Sequence, residues 1–144
     1  MRWTKHGLLF DPSAHQLPDG CTTFAQSPQA LVFDDFVRIY FSTRRQEANG
    51  QYLSYISYVE VDRELQTVLR VAGHSVMPLG VLGAFDEHGI FPINVIRHGG
   101  QVRAYTCGWS RRVSVPVETA IGLAISTDEG RTFTRAGDGP VMAA

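Results

Sequence analysis

Asp86, Glu87 and His88 form the densest run of proton-transferring side chains in this 144-residue chain. Two carboxylates that flank an acetal can act as acid and as base or nucleophile in its hydrolysis. Neighbouring residues on a strand point to opposite faces, so Asp86 and Glu87 alone do not make such a pair. The same run reads equally as an exposed acidic turn, with His88 a turn histidine. Trp109, after Gly108 at an expected strand end, offers an aromatic surface of the kind on which the C–H face of a sugar ring stacks. Tyr105, four residues earlier, is expected in the core. Arg44 ends an expected central strand, where it can bond hydroxyls or the carboxylate of an acidic sugar, or sit in a surface ion pair. Gln26 has the donor and acceptor that a diol needs, and is as well suited to capping an edge backbone group.

Other chemistries lack their signatures. The five histidines show no paired metal spacing. A Gly-x-Ser-x-Gly elbow, a P-loop and a dinucleotide fingerprint are all missing, so neither metal nor organic cofactor is expected. A net charge of −1 and two isolated basic pairs, Arg44-Arg45 and Arg111-Arg112, do not make the basic stripe of a nucleic-acid partner. No apolar run approaches the ~20 residues of a membrane span, and Met1 to His6 leads into no signal-peptide core. Cys21 and Cys107 form no close-spaced motif, which makes a reduced, cytoplasmic setting the default.

The elements that must position these groups read as strands. Val37, Ile39 and Phe41 alternate with Arg38, Tyr40 and Ser42, the period-2 pattern of a half-buried strand. Leu53 to Val61 continues it. Phe91 to Arg97 and Val102 to Cys107 flank His98-Gly99-Gly100, a hairpin turn, and Glu118 to Ser126 supplies a further strand. Asp34-Asp35 reads as a hairpin turn. Asp62 to Gln66 is the one stretch where a short helix competes with a turn. The order also repeats: Tyr40 and Tyr105, Ile56 and Ile121, Arg70 and Arg135, and Met77 and Met142 recur at a fixed spacing. Four strands per copy suit a propeller blade. Trp3-Thr4-Lys5 echoes Phe133-Thr134-Arg135, so residues 1–10 are expected to be the outer strand of a final blade.

Ser126-Thr127-Asp128-Glu129-Gly130-Arg131-Thr132-Phe133 fits the Ser-x-Asp-x-Gly-x-Thr-aromatic pattern of an Asp-box, a corner between antiparallel strands with the aromatic packed beneath. Asp128 can bond backbone amides ahead of it, and Gly130 can take positive φ. Such corners recur in β-propellers, often in proteins that handle carbohydrate. Because the turn uses the aspartate, the motif marks a fold corner rather than a reaction centre.

Several segments carry a wider resemblance. They are Trp3-Thr4-Lys5-His6-Gly7-Leu8-Leu9-Phe10-Asp11-Pro12, Ala25-Gln26-Ser27-Pro28, Arg38-Ile39-Tyr40-Phe41-Ser42-Thr43-Arg44 and Gly83-Ala84-Phe85-Asp86-Glu87-His88-Gly89-Ile90-Phe91-Pro92. Tyr105-Thr106-Cys107-Gly108-Trp109, Val115-Pro116 and Ile121 to Ser126 complete the set. Together they resemble the N-terminal part of bacterial five-bladed β-propeller proteins related to glycoside hydrolase families 43 and 32. Those relatives include arabinanases, xylosidases and β-fructosidases, and some members are associated with surface-polysaccharide synthesis.

The resemblance implies an all-β fold with two of five four-stranded antiparallel blades. Residues 1–21 would be a closing strand and linker, 22–84 the first blade and 85–144 the second. It further implies a carbohydrate ligand and a glycosidase-like function, completed by missing C-terminal blades or by an oligomer. In the relatives a first-blade Asp is the base, a second-blade Asp tunes and orients, and a third-blade Glu is the acid. Asp86 matches the second role, with Glu87 its alternative. Near Phe24-Ala25-Gln26 there is no carboxylate, and Phe24 stands where relatives tend to have His. That departure favours a second reading, a non-catalytic glycan-binding or scaffolding propeller fragment.

Overall fold

Alternation of the kind seen along residues 37–46 builds extended ten-residue strands, and these dominate the chain. The computed structural model describes residues 2–143 and is all-β, apart from short 3-10 turns at Pro12–Ala14 and Pro18–Gly20. The strands are β1 (Thr23–Val32), β2 (Val37–Gln46), β3 (Tyr52–Val61), β4 (Val68–Val71), β5 (Gly89–His98), β6 (Gln101–Ser110), β7 (Glu118–Ser126), β8 (Thr134–Arg135) and β9 (Met142–Ala143). All nine belong to one hydrogen-bonded sheet. Within it β1 to β4 form one antiparallel meander and β5 to β8 another, with β9 also pairing to β7. A single parallel pair, Ser54 beside Gly89, joins the two meanders in the ladder.

The turns follow from their residues. Gly99 and Gly100, at φ 59° and 75°, close the β5–β6 hairpin with the twist that a two-residue turn requires. Asp62 accepts from the N–H groups of Gln66 and Thr67, so the stretch where a helix competed with a turn is a turn. The expected closing strand at the N-terminus has no strand partner among the described residues, and Trp3 and Leu8 lie exposed. Met1 and Ala144, the outermost residues of the expected first and last segments, lie outside the described residues.

Burial departs from the half-buried expectation in two places. Arg38 and Tyr40 alternate with the apolar residues of an expected half-buried strand, yet both are fully buried. The reason is that β2 and β3 are covered on both sides. One side shares a core with the second meander through Tyr40, Ile56, Tyr58, Ile93, Val102 and Phe133. The other packs under Leu9, Phe10, Leu17 and Cys21. Tyr105, expected in the core, is instead 39% exposed. It lies on the face of β5–β7 that looks away from the first meander, together with exposed Ile96 and Ile121.

The Ser126–Phe133 turn stitches the meanders together. Ser126 Oγ accepts from the N–H of Gly130 (2.8 Å), and Asp128 Oδ1 accepts from that of Thr132 (2.9 Å). Gly130 has φ 82°. Tyr40 donates its hydroxyl to Gly130 O and Arg38 Nη1 donates to Glu129 O, both at 2.6 Å. The Phe133 N–H donates to Val76 O, and the Phe133 ring is buried. This turn thus clasps the two halves together.

Candidate functional site

Four β2 residues share the face toward the second meander: Arg38, Tyr40, Ser42 and Arg44. The first three are bonded. Arg38 reaches Glu60 at 2.6 Å as well as Glu129 O, Tyr40 reaches Gly130 O, and Ser42 Oγ lies 3.4 Å from Ile90 O. The fourth is not. Among the described residues the Arg44 side chain makes no hydrogen bond or ion pair, and its Nε is buried without a partner. Its guanidinium lies 5.0 Å from the Phe24 ring centre and 5.9 Å from that of Phe91. These aromatic faces attract the guanidinium charge but supply no hydrogen-bond acceptor.

Arg44 borders a cleft of about 510 Å³ at the β3–β5 junction, lined also by Tyr52, Ser54, Phe91, Trp109 and Arg111. Trp109 can lie there because residue 89 is glycine. A Cβ at Gly89 would collide with the indole Nε1 and would come within 2.8 Å of Ser54 Cβ. The indole stacks on His88, with ring centres 5.9 Å apart and planes at 28°, and the Arg111 guanidinium lies 5.5 Å from it. Arg111 reaches back to the first meander, bonding Glu47 (3.2 Å) and Tyr52 O (2.7 Å). Its backbone N–H donates to His88 Nδ1 (3.3 Å), leaving Nε2 to face Glu87 at 3.9 Å. The other Glu87 oxygen accepts from the Gly83 N–H (2.9 Å).

The structure therefore brings Arg44 and Trp109 to one cleft, with His88 stacked on the indole and Glu87 beside it. Gln26 pairs with Ser42 across β1 and β2, and its Oε1 is buried without a partner. Asp86 is placed elsewhere. It is fully buried, and its Oδ2 accepts from Arg135 Nε (2.9 Å) and Nη2 (2.5 Å). Phe85 fills the space that Gly108 and Gly122 leave open, and a Cβ on Gly108 would come within 2.6 Å of Asp86 Cβ. Asp86 is thus drawn down onto the sheet, where a guanidinium must offset the cost of burying its charge. It does not face the cleft.

Tyr52, Phe91 and Arg111 were not singled out by their sequence. Arg111 is more than half of an isolated basic pair: its two-residue spacing from Trp109 is the signal that puts both at one strand end. No carboxylate lines the cleft among the described residues, and Glu47 and Glu87 at its margins are already bonded. No cluster of three or more His, Cys, Asp or Glu is arranged to hold a metal ion among the described residues. Among the described residues no helix is long and apolar enough to cross a membrane.

An all-β sheet with an aromatic and cationic cleft is the class that this geometry defines. Comparison with known proteins places it further. No family model matches the chain. It is 34% identical to two proteins of Mycobacterium tuberculosis, the uncharacterized proteins MT1551 (strain CDC 1551 / Oshkosh) and Rv1502 (strain ATCC 25618 / H37Rv). Each match covers 99% of this chain and 46% of the relative, so the chain spans about half the length of the curated relatives it matches. Among solved structures it is similar to Zg3597, a family 117 glycoside hydrolase produced by the marine bacterium Zobellia galactanivorans. The TM-score is 0.72 at 20% identity, over 90% of this chain and 37% of that one. The likeness is one of fold, to a glycoside hydrolase of family 117, whereas the sequence resemblance pointed to families 43 and 32.

Proposed function

We propose that the chain is part of a carbohydrate-active protein and that the cleft between Arg44 and Trp109 holds the sugar. The observation that carries this reading is the cleft lining: an indole, two further aromatic rings and two guanidinium groups around one open volume. Aromatic faces stack on sugar C–H surfaces, and polar groups at the rim fix hydroxyls. The fold likeness to a glycoside hydrolase supports the ligand class. Binding without cleavage by this chain alone is favoured, because no carboxylate among the described residues lines the cleft and hydrolysis needs two. In this reading Glu87 and His88 support Trp109, Gln26 is a nearby polar group for hydroxyls, and Asp86 positions the loop.

The same proposal takes the two meanders as consecutive blades, residues 22–84 and 85–144, of a five-bladed propeller related to families 43 and 32. Residues 1–21 are then the closing strand and linker, and Ser126–Phe133 an Asp-box corner. Tyr40 and Ile56, which face the second meander, are 0% and 1% exposed; their repeat equivalents Tyr105 and Ile121 are 39% and 36% exposed. A third blade would cover the second pair as the second blade covers the first. A cytoplasmic setting and a link to surface polysaccharide complete the proposal. Isothermal titration with a panel of oligosaccharides, beside an assay for released reducing sugar, tests it. Saturable binding without release supports this reading. Release by the chain alone overturns the non-catalytic part, and failure to bind any glycan overturns the whole.

A further inference from the structure

We propose that the sugar bound in the cleft is an acidic one, and that its oxyanion docks on Arg44; this rests on the carbohydrate reading of the same cleft. Arg38, Arg111, Arg112 and Arg135 each meet a carboxylate within the chain, at 2.6, 3.2, 2.5 and 2.5 Å. Arg44 meets none among the described residues, although it is partly buried and its Nε is shut off from solvent. Its two Nη groups, unbonded among the described residues and not shut off from solvent, remain free to donate to a ligand. Phe24 and Phe91 hold the guanidinium by its neighbouring rings and supply no acceptor. Arg111, the other cation of the cleft, is already matched by Glu47. The cleft thus carries one positive charge in excess, with no acidic side chain among the described residues in its lining.

A planar guanidinium with free donors suits an oxyanion better than a lone hydroxyl, because it can donate two parallel bonds to two oxygens. Trp109, on the opposite meander, would take the ring face while Arg44 takes the acid group. Gln26, on the same β1–β2 face with an unpartnered Oε1, would accept from a hydroxyl next to that acid. A sugar carboxylate, sulfate or phosphate has the shared chemistry, and each can be tried separately.

The test is isothermal titration of the whole chain with four probes: glucuronic acid, glucose, glucose 6-sulfate and glucose 6-phosphate, each also against Arg44→Gln. Circular dichroism and a thermal melt establish that the variant is folded, and Arg44→Lys tests charge without the fork. The expected result is at least about tenfold tighter binding of one or more charged sugars than of glucose. That preference should collapse in Arg44→Gln, recover only partly in Arg44→Lys, and weaken with added salt. Which charged sugar wins identifies the oxyanion. Glucose binding as tightly as all three overturns the acidic-sugar inference and leaves the carbohydrate reading standing, as does a preference that survives Arg44→Gln. If no sugar binds, charged or neutral, both fall; inorganic phosphate, run as a further probe, must then bind no better than chloride, or the site is an anion site and not a sugar site.

Discussion

Gly89 and Trp109 show how one missing side chain creates a surface. The indole lies over Gly89 because there is no Cβ to meet it, and so reaches toward Ser54 on the other meander. Gly89→Ala should displace the ring and weaken sugar binding about as much as Trp109→Ala does, at least tenfold, and, because the added Cβ also meets Ser54 Cβ, lower the melting temperature. Titration of both variants beside the wild type decides this, and an unchanged affinity in Gly89→Ala contradicts the assigned role. Asp128 gives a second prediction. Burial would raise its pKa, but bonds from Ser126 and from the Thr132 backbone and hydroxyl outweigh that and hold it at about 2, below the ordinary 3.8. Its ionised form is therefore the one the fold favours. That contribution is complete above about pH 4 and fades as the pH falls toward 2. Asp128→Ala should cost roughly 1–2 kcal/mol at neutral pH, the range for a side chain capping backbone N–H groups, and should flatten the acid limb of a melting curve. Equal acid sensitivity in wild type and variant would contradict the assignment.

The joint between the meanders is the element on which the cleft depends. Tyr40 crosses from β2 to Gly130 O, and a Cβ at Gly130 would collide with that hydroxyl. Burial pushes the Tyr40 hydroxyl up to about 12, so it stays a neutral donor through the physiological range. Tyr40→Phe leaves Gly130 O without its donor and should cost about 1–2 kcal/mol by chemical denaturation. The loss should shrink as the pH rises above about 10, where the unfolded tyrosine of the wild type begins to ionise, and be gone by about pH 12. A cost that persists unchanged at pH 11 contradicts the bond. Much of this level was legible beforehand. Glu118–Ser126 is a strand with the expected bounds, and Gly99-Gly100 closes the hairpin it was expected to close. What local pattern cannot report is what covers a strand. Arg38 and Tyr40 read as the polar side of an alternating strand, and only the approach of the second meander buries them. Asp86 is the same lesson at the site. Its partner Arg135 is 49 residues away, and the pairing depends on the room that Gly108 and Gly122 leave for Phe85. Arg44 and Trp109, both at strand ends, were legible as candidates; that they share one cleft was not.

At the scale of the whole molecule the two meanders are unequally clothed. The first is covered on both faces, while the second offers Tyr105, Ile96 and Ile121 to solvent. An apolar face of this kind favours association, so the 144-residue chain is expected to self-associate, with Ile121→Lys shifting it toward monomer in multi-angle light scattering. A chain extended to the length of the mycobacterial relatives should be monomeric with Tyr105 protected from labelling. A monomeric 144-residue chain whose mass does not respond to Ile121→Lys contradicts the third-blade proposal.

The central claim is that the Arg44–Trp109 cleft holds a sugar, and Trp109 can report on it directly. The chain has two tryptophans, and Trp3 is exposed and outside the cleft. In a Trp3→Phe background, titration with acidic and neutral oligosaccharides should give a saturable change in Trp109 emission that Arg44→Gln weakens for the acidic ligands. An emission spectrum that no sugar alters, at concentrations where the protein remains folded, would contradict the account.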